Sequence, residues 1–404
     1  MRKGIRGFAL FIIILLIIVF IVPNVFNNRE EKAFSNEERL ERARESYQLH
    51  NLGDSITTSI SDFYDRSKFA ETFLGIHYRK MWHTSITLPV LDLAKYEGGL
   101  TYQKLGGGQQ TTSADVNSKN GLAYTIRSVN KDQSKALPPV MQYSLARPMF
   151  RDQASALNPF GAVITAQLED ALNLLHTSPK MYFVPYDSSW HNDFLIHLAG
   201  RAVIIEEEPG DEWINKPTFG GAYKIVATDD MMEAWQQSSI TIDNQNYLKC
   251  RLLDMLVSDW DRHGGQWAWA YIKTKAGNVA KPIPMDRDMA FYKFDDGLLN
   301  HLALAINHKF QSFNPEYDDV SGLMKNSKEL DLKILSAMSQ DDFLYQARQI
   351  KEQLTPTVIG RAFAIYPEEI YTEYGQKHIE IFNERLKNIE LLAKTFHQVL
   401  NSDD

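Results

Sequence analysis

Cysteine is almost missing from this chain of 404 residues, which has one, Cys250. A single cysteine cannot form an internal disulfide, so no disulfide framework organises the fold. Cys250 lies among leucines in a helical pattern, where a buried structural thiol is expected. Basic residues are not in excess either: the formal net charge is −8, and we expect no nucleic-acid partner.

The chain also has no internal repeats and no low-complexity tracts, which excludes solenoids and mucin-like stalks. A second apolar run of membrane length is missing too. The one long apolar run is Phe8–Val22, and Arg2, Lys3 and Arg6 precede it. It predicts a single transmembrane anchor, with a cleaved signal peptide as the alternative. The positive-inside rule then places the bulk of the chain outside the cytoplasm, which in a bacterium means the periplasm or the cell surface.

Beyond the apolar run, the pattern predicts an α+β protein with a strand-rich half followed by a helical half. The predicted segments are an anchor with its basic tip at 1–26, a polar stalk at 27–55, an N-lobe at 56–205 and a C-lobe at 206–404. Strand patterns include Leu100–Leu105 and Leu122–Val129, with an Asn-Gly turn before the second. Long amphipathic helices are predicted over Asp342–Leu354 and Lys377–Leu400.

The stretch 258–266, Ser-Asp-Trp-Asp-Arg-His-Gly-Gly-Gln, carries the densest chemistry. It lies between a helical pattern and a strand pattern. One interpretation is a turn in which an aspartate caps a helix and pairs with Arg262. The other is a catalytic loop, because charged residues and two glycines are concentrated between apolar elements.

A second acidic element, Asp286-Arg287-Asp288, follows a predicted hairpin. A hairpin brings the loops at its two ends together, so the two acidic loops are expected to converge. Phosphoryl transfer needs one carboxylate near the attacking hydroxyl and others that hold a divalent metal against the phosphates. The two loops offer that set of ligands.

The order Asp-Arg-His-x-x-Gln, hairpin, apolar-Asp resembles the atypical kinases: phosphoinositide kinases, HipA-type kinases, secretory-pathway kinases and, most of all, CotH-type spore-coat kinases. The resemblance implies a bilobal protein-kinase-like fold that uses ATP or another nucleotide with Mg or Mn. It makes Asp261 the catalytic carboxylate, with His263 beside it in the motif. Gln266 takes the place of a metal-binding asparagine, and Asp286 is the principal metal ligand, with Asp288 as its competitor.

The upstream half offers a weaker match to the same family. Gly106, Gly107 and Gly108 lie between two strand patterns, where a kinase places its glycine-rich loop over the phosphates, although three glycines can also form a simple bend. No Gly-Lys-Ser/Thr is present to make this segment a P-loop. Arg127 lies where the strand lysine of protein kinases lies, or is an exposed strand cation.

Two further assignments depend on the family resemblance. Asp152 and Glu169 are the candidate acidic partners of Arg127, and the sequence does not choose between them. Glu206 ends a strand between the predicted lobes, where a hinge would bind adenine through backbone groups.

The function predicted from these residues is a membrane-anchored kinase that phosphorylates an unknown hydroxyl acceptor, expected to be a protein. An inactive kinase-like scaffold at the cell envelope is one alternative, favoured by Arg127 and Gln266, which depart from the kinase pattern. A metal-dependent glycosyltransferase is another, because Asp259-x-Asp261 and Asp286-x-Asp288 both have the Asp-x-Asp spacing.

Overall fold

The computed structural model describes residues 10–21, 32–106, 111–275 and 277–402. Its strands are β1 Ser55–Thr58, β2 Ile86–Pro89, β3 Leu100–Leu105, β4 Ser113–Ser118, β5 Ala123–Ser128, β6 Lys180–Phe183, β7 Ala202–Glu207, β8 Lys224–Ala227, β9 Thr241–Ile242, β10 Trp267–Thr274 and β11 Gly277–Pro284. The mixture of sheets and helices confirms the predicted α+β class.

The folded domain contains α-helices from residue 36 onward. In chain order they are α1 Asn36–Ser46, α2 Lys68–Leu74, α3 Arg79–His83, α4 Ala146–Asp152, α5 Gly161–Ala171, α6 Asn192–Leu198, α7 Thr228–Gln236, α8 Asn244–Leu256, α9 Leu298–Ile306, α10 Val320–Met324, α11 Lys328–Leu335, α12 Gln340–Gln353, α13 Pro356–Phe363, α14 Glu368–Ile370, α15 Gln376–Lys387 and α16 Ile389–Leu400.

Of the predicted anchor, residues 10–21 belong to the described part of the chain and are helical, with a π-helical stretch over Ile17–Ile21. Across the four described ranges, no helix combines the length and the apolar character that crossing a bilayer requires. The transmembrane anchor therefore stays a prediction.

Strands β3 to β7 form one antiparallel sheet in the order β3-β4-β5-β7-β6. The predicted strand at Leu100–Leu105 is confirmed as β3, and the predicted Asn-Gly hairpin joins β4 to β5. Gly121 in that turn has φ +77°, a backbone conformation that costs glycine little. This sheet places the end of β5, with Arg127, beside β7 in its middle.

A second sheet, in the order β8-β10-β11-β9, contains the predicted hairpin between the two acidic loops. Trp267 at the start of β10 pairs with Pro284 at the end of β11, so the loops at these ends are neighbours. Ile126 and Ile205 of the first sheet share an apolar cluster with Ala268 and Ala270 of the second. The two sheets are therefore held together by one core.

The remaining helices cover a larger apolar core that is continuous with the second sheet. The predicted helix at 377–400 is in fact two helices, α15 and α16, which meet at Asn388. The Asn388 side chain donates to the carbonyl of Glu384 at 3.1 Å. Asparagine competes with the helix for its own backbone partners, which explains the break that the apolar periodicity did not show.

The predicted polar stalk at 27–55 is corrected over its described residues. Helix α1 packs on α6 and buries Leu40 and Ala43 in a small apolar cluster with Leu195. Ser35 caps the helix by accepting from the Glu38 amide. These few apolar side chains, too sparse to suggest an amphipathic helix, are sufficient for a short contact with the domain.

Arg385 of α15 joins the helical half to the end of α8, the helix that leads into the first acidic loop. Its guanidinium donates to the carbonyl oxygens of Leu256 at 2.8 Å and Asn314 at 2.7 Å, and lies 4.1 Å from the ring centre of Tyr317. Burial lowers the pKa of Arg385 to about 10, which leaves it charged at neutral pH. Arg385 thus satisfies carbonyls that helix ends leave without partners.

We expect Arg385→Met to lower the free energy of unfolding by about 3 kcal/mol or more, since each buried carbonyl left without a donor costs about 1–3 kcal/mol. Urea denaturation followed by tryptophan fluorescence measures this loss. Arg361→Met, at an exposed position on α13, is the matched control and should stay within about 0.5 kcal/mol of the wild type. Equal effects of the two variants would contradict a role of Arg385 in joining these elements.

Candidate functional site

Arg127 lies near the end of β5, where its guanidinium faces a group of carboxylates. Its Nη1 is 3.5 Å from Glu206 Oε1 and 3.6 Å from Asp286 Oδ2, and its Nη2 is 3.9 Å from Glu208 Oε2. Burial opposes the charge, but these three carboxylates outweigh burial and hold the pKa of Arg127 above its usual value. Arg127 therefore reaches the second acidic loop through Asp286.

Neither sequence candidate for the acidic partner of Arg127 is correct. Asp152 instead binds Arg79, with Arg79 Nη1 2.9 Å from its Oδ1, and Glu169 binds Arg287 at 2.6 Å. Glu206 takes that place as the partner of Arg127.

Glu206 was expected at a hinge that binds adenine through backbone groups. Its side chain instead interacts with other side chains of the cleft. Its Oε2 accepts a hydrogen bond from Thr177 Oγ1 at 2.8 Å, while its Oε1 faces Arg127. Residue Glu206 is paired with Thr125 in the middle of the sheet. Its carboxylate therefore contributes charge to the cleft, and the adenine-binding role stays a prediction.

Lys131 was missed in the sequence and is a second cation in the cleft. It follows β5 by three residues, and its ammonium pairs with the carboxylate of Asp288. Burial lowers the pKa of Lys131, and the nearby Asp286, Asp261 and Glu206 only partly offset this. In the sequence, the stretch from Asn130 to Asp132 looks like an ordinary polar turn. Lys131 lies three residues beyond a strand, where no side-chain periodicity indicates which way it points.

Asp286 lies two residues after the end of β11 and adopts a left-handed backbone conformation with φ +52°. Gln266 Nε2 is 3.5 Å from Asp286 Oδ2, and the Met285 amide donates to the Gln266 carbonyl at 3.0 Å. Burial disfavours the ionised carboxyl, but Lys131 and Arg127 prevail and keep the pKa of Asp286 below its usual range. Asp286 is therefore an ionised carboxylate that faces two cations.

Asp261 lies in the first acidic loop and accepts a hydrogen bond from Asn326, with Asn326 Nδ2 2.5 Å from Asp261 Oδ1. Asn326 precedes α11 and was not singled out in the sequence, where it is 65 residues away. The bond fixes one oxygen of Asp261 and leaves the carboxylate partly accessible.

His263 lies next to Asp261 in the motif but faces solvent. Its Nδ1 accepts from the Gly265 amide at 3.1 Å and caps the 3₁₀ turn Gly264–Gln266. In the described part of the chain, His263 forms no hydrogen bond or ion pair with the cleft carboxylates. This geometry gives the imidazole a structural contact, and a catalytic role for it has no support here.

A buried ion network lies directly under the two acidic loops. Arg262 donates to the Met285 carbonyl at 2.7 Å and to the Gln266 carbonyl at 3.1 Å, which ties the first loop to the second. Its Nε is 3.4 Å from Asp254 Oδ2 on α8. Arg287 pairs with the same Asp254 and also with Glu169 on α5.

Asp259 belongs to this network and not to the cleft. It is fully buried, with Oδ2 3.8 Å from Arg262 Nη1 and 3.4 Å from Arg287 Nη1. Burial raises the pKa of Asp259 to about 6, against the opposing pull of the two arginines. A carboxylate enclosed by two arginines is not available to a metal, so the pair Asp259-x-Asp261 is not a metal-binding Asp-x-Asp motif.

The predicted glycine-rich loop can be assessed only in part. Gly107 and Gly108 lie outside the described residues. The Gly106 amide donates to the Ser113 carbonyl at 2.9 Å, and a Cβ at this position would collide with the Ser113 hydroxyl. A side chain at 106 would therefore displace the Ser113 hydroxyl, and the phosphate-binding role of the loop stays a prediction.

Neither protein-family models nor curated protein sequences match the chain. Solved structures that resemble it include the Helicobacter pylori proinflammatory kinase CtkA, with 14% identity and TM-score 0.38 over 78% of this chain and 100% of that one. HipA of Shewanella oneidensis MR-1, solved with HipB and operator DNA, is 11% identical with TM-score 0.33 over 79% and 69%. The Golgi casein kinase is 8% identical with TM-score 0.31 over 91% of each chain.

CtkA and the Golgi casein kinase are named as kinases. With TM-scores below 0.5, the likeness defines neither a fold, a family nor an activity for this chain. The finer resemblance to CotH-type kinases is not tested by these structures and stays a prediction.

The raised pKa of Asp259 predicts how its contribution to stability depends on pH. A carboxyl whose folded pKa lies above the unfolded value stabilises the fold at low pH, and that contribution is lost as pH rises through about 6. The Asp259→Asn variant does not ionise. Its unfolding free energy relative to the wild type should therefore rise by about 3 kcal/mol between about pH 4 and pH 7, the equivalent of a shift of about two pKa units.

Urea denaturation of both proteins across this pH range measures the difference. Glu41→Gln, which removes an exposed carboxyl from α1, should show no such trend. A difference between Asp259→Asn and wild type that does not change with pH would contradict the assignment.

Proposed function

We propose that this chain is a kinase-like phosphotransferase that binds a nucleotide with Mg or Mn in the cleft between its two sheets and phosphorylates a hydroxyl group. A protein is the acceptor that we favour. The proposal rests on one observation: two cations and two carboxylates alternate in this cleft, with Arg127 facing Asp286 and Lys131 facing Asp288. Phosphoryl transfer uses such a set, because phosphates need cations and the metal needs carboxylates.

Asp261 is the residue that we assign to the acceptor hydroxyl. Its hydrogen bond from Asn326 holds the carboxylate in place, and an oriented carboxylate can accept the proton of an attacking hydroxyl. Arg127 and Lys131 would hold the phosphate oxygens, Arg127 through two parallel N–H donors.

The residues in the cleft fit a magnesium or manganese ion. Among the described residues no three of the types His, Cys, Asp and Glu are grouped as a metal site. Mg²⁺ is commonly bound through one or two carboxylates together with substrate phosphates, which matches Asp286 and Asp288 with a nucleotide. Gln266 turns its amide nitrogen towards Asp286, so its amide would have to rotate before its oxygen could bind the same ion. When bound, the metal would neutralise charge on the phosphates.

An inactive kinase-like scaffold remains a second candidate because the cleft is narrow. The cavity that Arg127, Lys131, Asp286 and Asp288 help to line has a volume of about 50 Å³, whereas ligand pockets have volumes of about 300–1,000 Å³. Nucleotide binding therefore requires the Lys131–Asp288 pair to separate. Nucleotide binding by the wild-type protein distinguishes the two candidates.

We also propose that the apolar N-terminal run anchors the chain in a membrane, with the bulk of the chain outside the cytoplasm. The basic residues ahead of the run support this orientation.

Asp286 and Asp261 should differ in how their loss affects the protein. Asp286→Asn should reduce the thermal shift with ATP and Mg²⁺ or Mn²⁺, because it removes a charged ligand from a hard cation. Asp261→Asn should bind nucleotide like the wild type and lower turnover by about 10²–10⁴-fold, the usual range for a lost general base. Asp288→Asn is measured beside them, because either residue of that pair can be the main ligand.

Asp211→Asn, at an exposed position before β8, is the control and should behave as wild type. If the wild type binds nucleotide but all three cleft variants bind and turn over equally well, the catalytic assignment fails. If the wild type binds no nucleotide, the scaffold replaces the kinase.

Lys131→Met should separate metal binding from phosphate binding. Without the ammonium, the Asp288 carboxylate is free to bind a metal. Mn²⁺ alone should then bind roughly tenfold more tightly. The free energy of such a change is a modest fraction of the attraction between two unit charges at a protein surface. ATP without metal should bind more weakly, because a phosphate-binding cation is lost. Titration calorimetry measures both, and a parallel change in the two affinities would contradict this arrangement.

A further inference from the structure

Helix α9 leaves several large apolar side chains exposed. Its one buried residue is Asn300, while Leu298, Leu302 and Ile306, spaced by four residues, face outward. Ile306 is 86% exposed. A helix on a water-facing surface normally buries its apolar stripe, and α9 has no charged residue at all. This helix surface is suited to an apolar environment.

Helix α2 extends the same apolar surface. Phe69 and Phe73 contact each other edge to face and are both exposed, as is Ile76 just after the helix. The carbonyl of Leu74 accepts a hydrogen bond from Asn300 Nδ2 at 3.1 Å, so the inward polar residue of α9 fastens it to α2. The two helices thus present their aromatic and aliphatic side chains as one face.

A third segment with exposed apolar side chains, residues 140–150, is linked to α2 through α3 and α4. Arg79 at the start of α3 donates to the Leu74 carbonyl at 3.3 Å and to Asp152 of α4 at 2.9 Å. Helix α4 carries exposed Phe150, and the segment before it carries exposed Val140, Met141 and Tyr143. In the described chain after residue 31, large apolar side chains are exposed outside these three segments only at Leu332, Tyr345 and Leu391.

The apolar N-terminal helix meets this face. The carbonyl of Val19 accepts a hydrogen bond from the Leu145 amide at 2.8 Å. Farther along, the guanidinium of Arg151 lies 4.5 Å from the ring centre of Phe34, so the chain enters the domain beside α4. The exposed face is therefore continuous with the most apolar segment of the sequence.

We propose that the face formed by α2, α9 and residues 140–150 docks on the surface of a lipid bilayer. Its occupant is lipid because the face adjoins the apolar N-terminal helix, which we place in the membrane. Side chains such as Phe, Leu and Ile on interfacial helices enter the boundary of headgroups and acyl chains. Lys68, Lys135 and Arg147 lie in or next to the same segments, where cations suit anionic headgroups. This contact is separate from the anchor and from the cleft.

Site-specific fluorescence in the full-length protein tests the docking. Cys250 is buried and is the sole cysteine, so a thiol-reactive NBD probe can be directed to an introduced cysteine. Leu302→Cys reports on α9 and Phe69→Cys on α2. Leu391→Cys, 65% exposed on α16, is the matched control. Each protein is reconstituted in vesicles of phosphatidylcholine and phosphatidylglycerol, with and without doxyl-labelled lipid.

We expect doxyl lipid to quench the probes at 302 and 69 several-fold more than the probe at 391, with blue-shifted emission. Equal quenching at the three positions overturns the proposal. So does a blue shift without lipid quenching, which would mean that the N-terminal helix covers the face. Self-quenching that depends on protein density, again without lipid quenching, would identify a second copy as the occupant. Thermal unfolding of each variant confirms its fold, and the two probe sites on the face check each other.

Discussion

Two buried arginines, Arg262 and Arg287, hold the candidate site in its shape. Arg262 fastens the first acidic loop to the backbone of the second, and Arg287 fastens the second to α5 and α8. Both guanidinium groups depend on buried carboxylates, and removing one partner from such a network leaves a charge that water cannot reach. The network therefore behaves as a unit, and the positions of Asp261 and Asp286 follow from it.

In the cleft above this network, cations and carboxylates pair with each other. Arg127 lies against Asp286 and Lys131 against Asp288, so each ion faces the opposite sign. A nucleotide with a divalent metal supplies the same two kinds of partner. Phosphates would replace the carboxylates as partners of the cations, and the metal would replace the cations as partner of the carboxylates. An exchange of this kind keeps every buried charge neutralised, which lowers the cost of opening a narrow cleft.

The folded domain begins close to the apolar N-terminal run. Phe34 already packs on Phe63, and α1 is bound to α6 where a free stalk was expected. A short connection of this kind holds the domain near whatever the apolar run occupies. Helix α9 has apolar side chains that face outward, and exposing them to water costs free energy. An apolar environment beside the domain would remove that cost.

The sequence by itself determined the α+β class, the hairpin at Gly121, strand β3 and the convergence of the two acidic loops at the end of one hairpin. These features follow from local rules: strand alternation, turn residues and the geometry of a hairpin. Only the tertiary structure decided the pairing of Arg127 with Glu206, the entry of Lys131 and Asn326 into the site, and the burial of Asp259. Ion pairs of this kind join residues that are far apart in the chain, such as Glu169 and Arg287, which are 118 positions apart. They depend on which charges burial leaves without water. Local periodicity does not predict which charges become buried. A lysine in an exposed turn and a lysine in a cleft have the same sequence pattern, and only the folded chain distinguishes them.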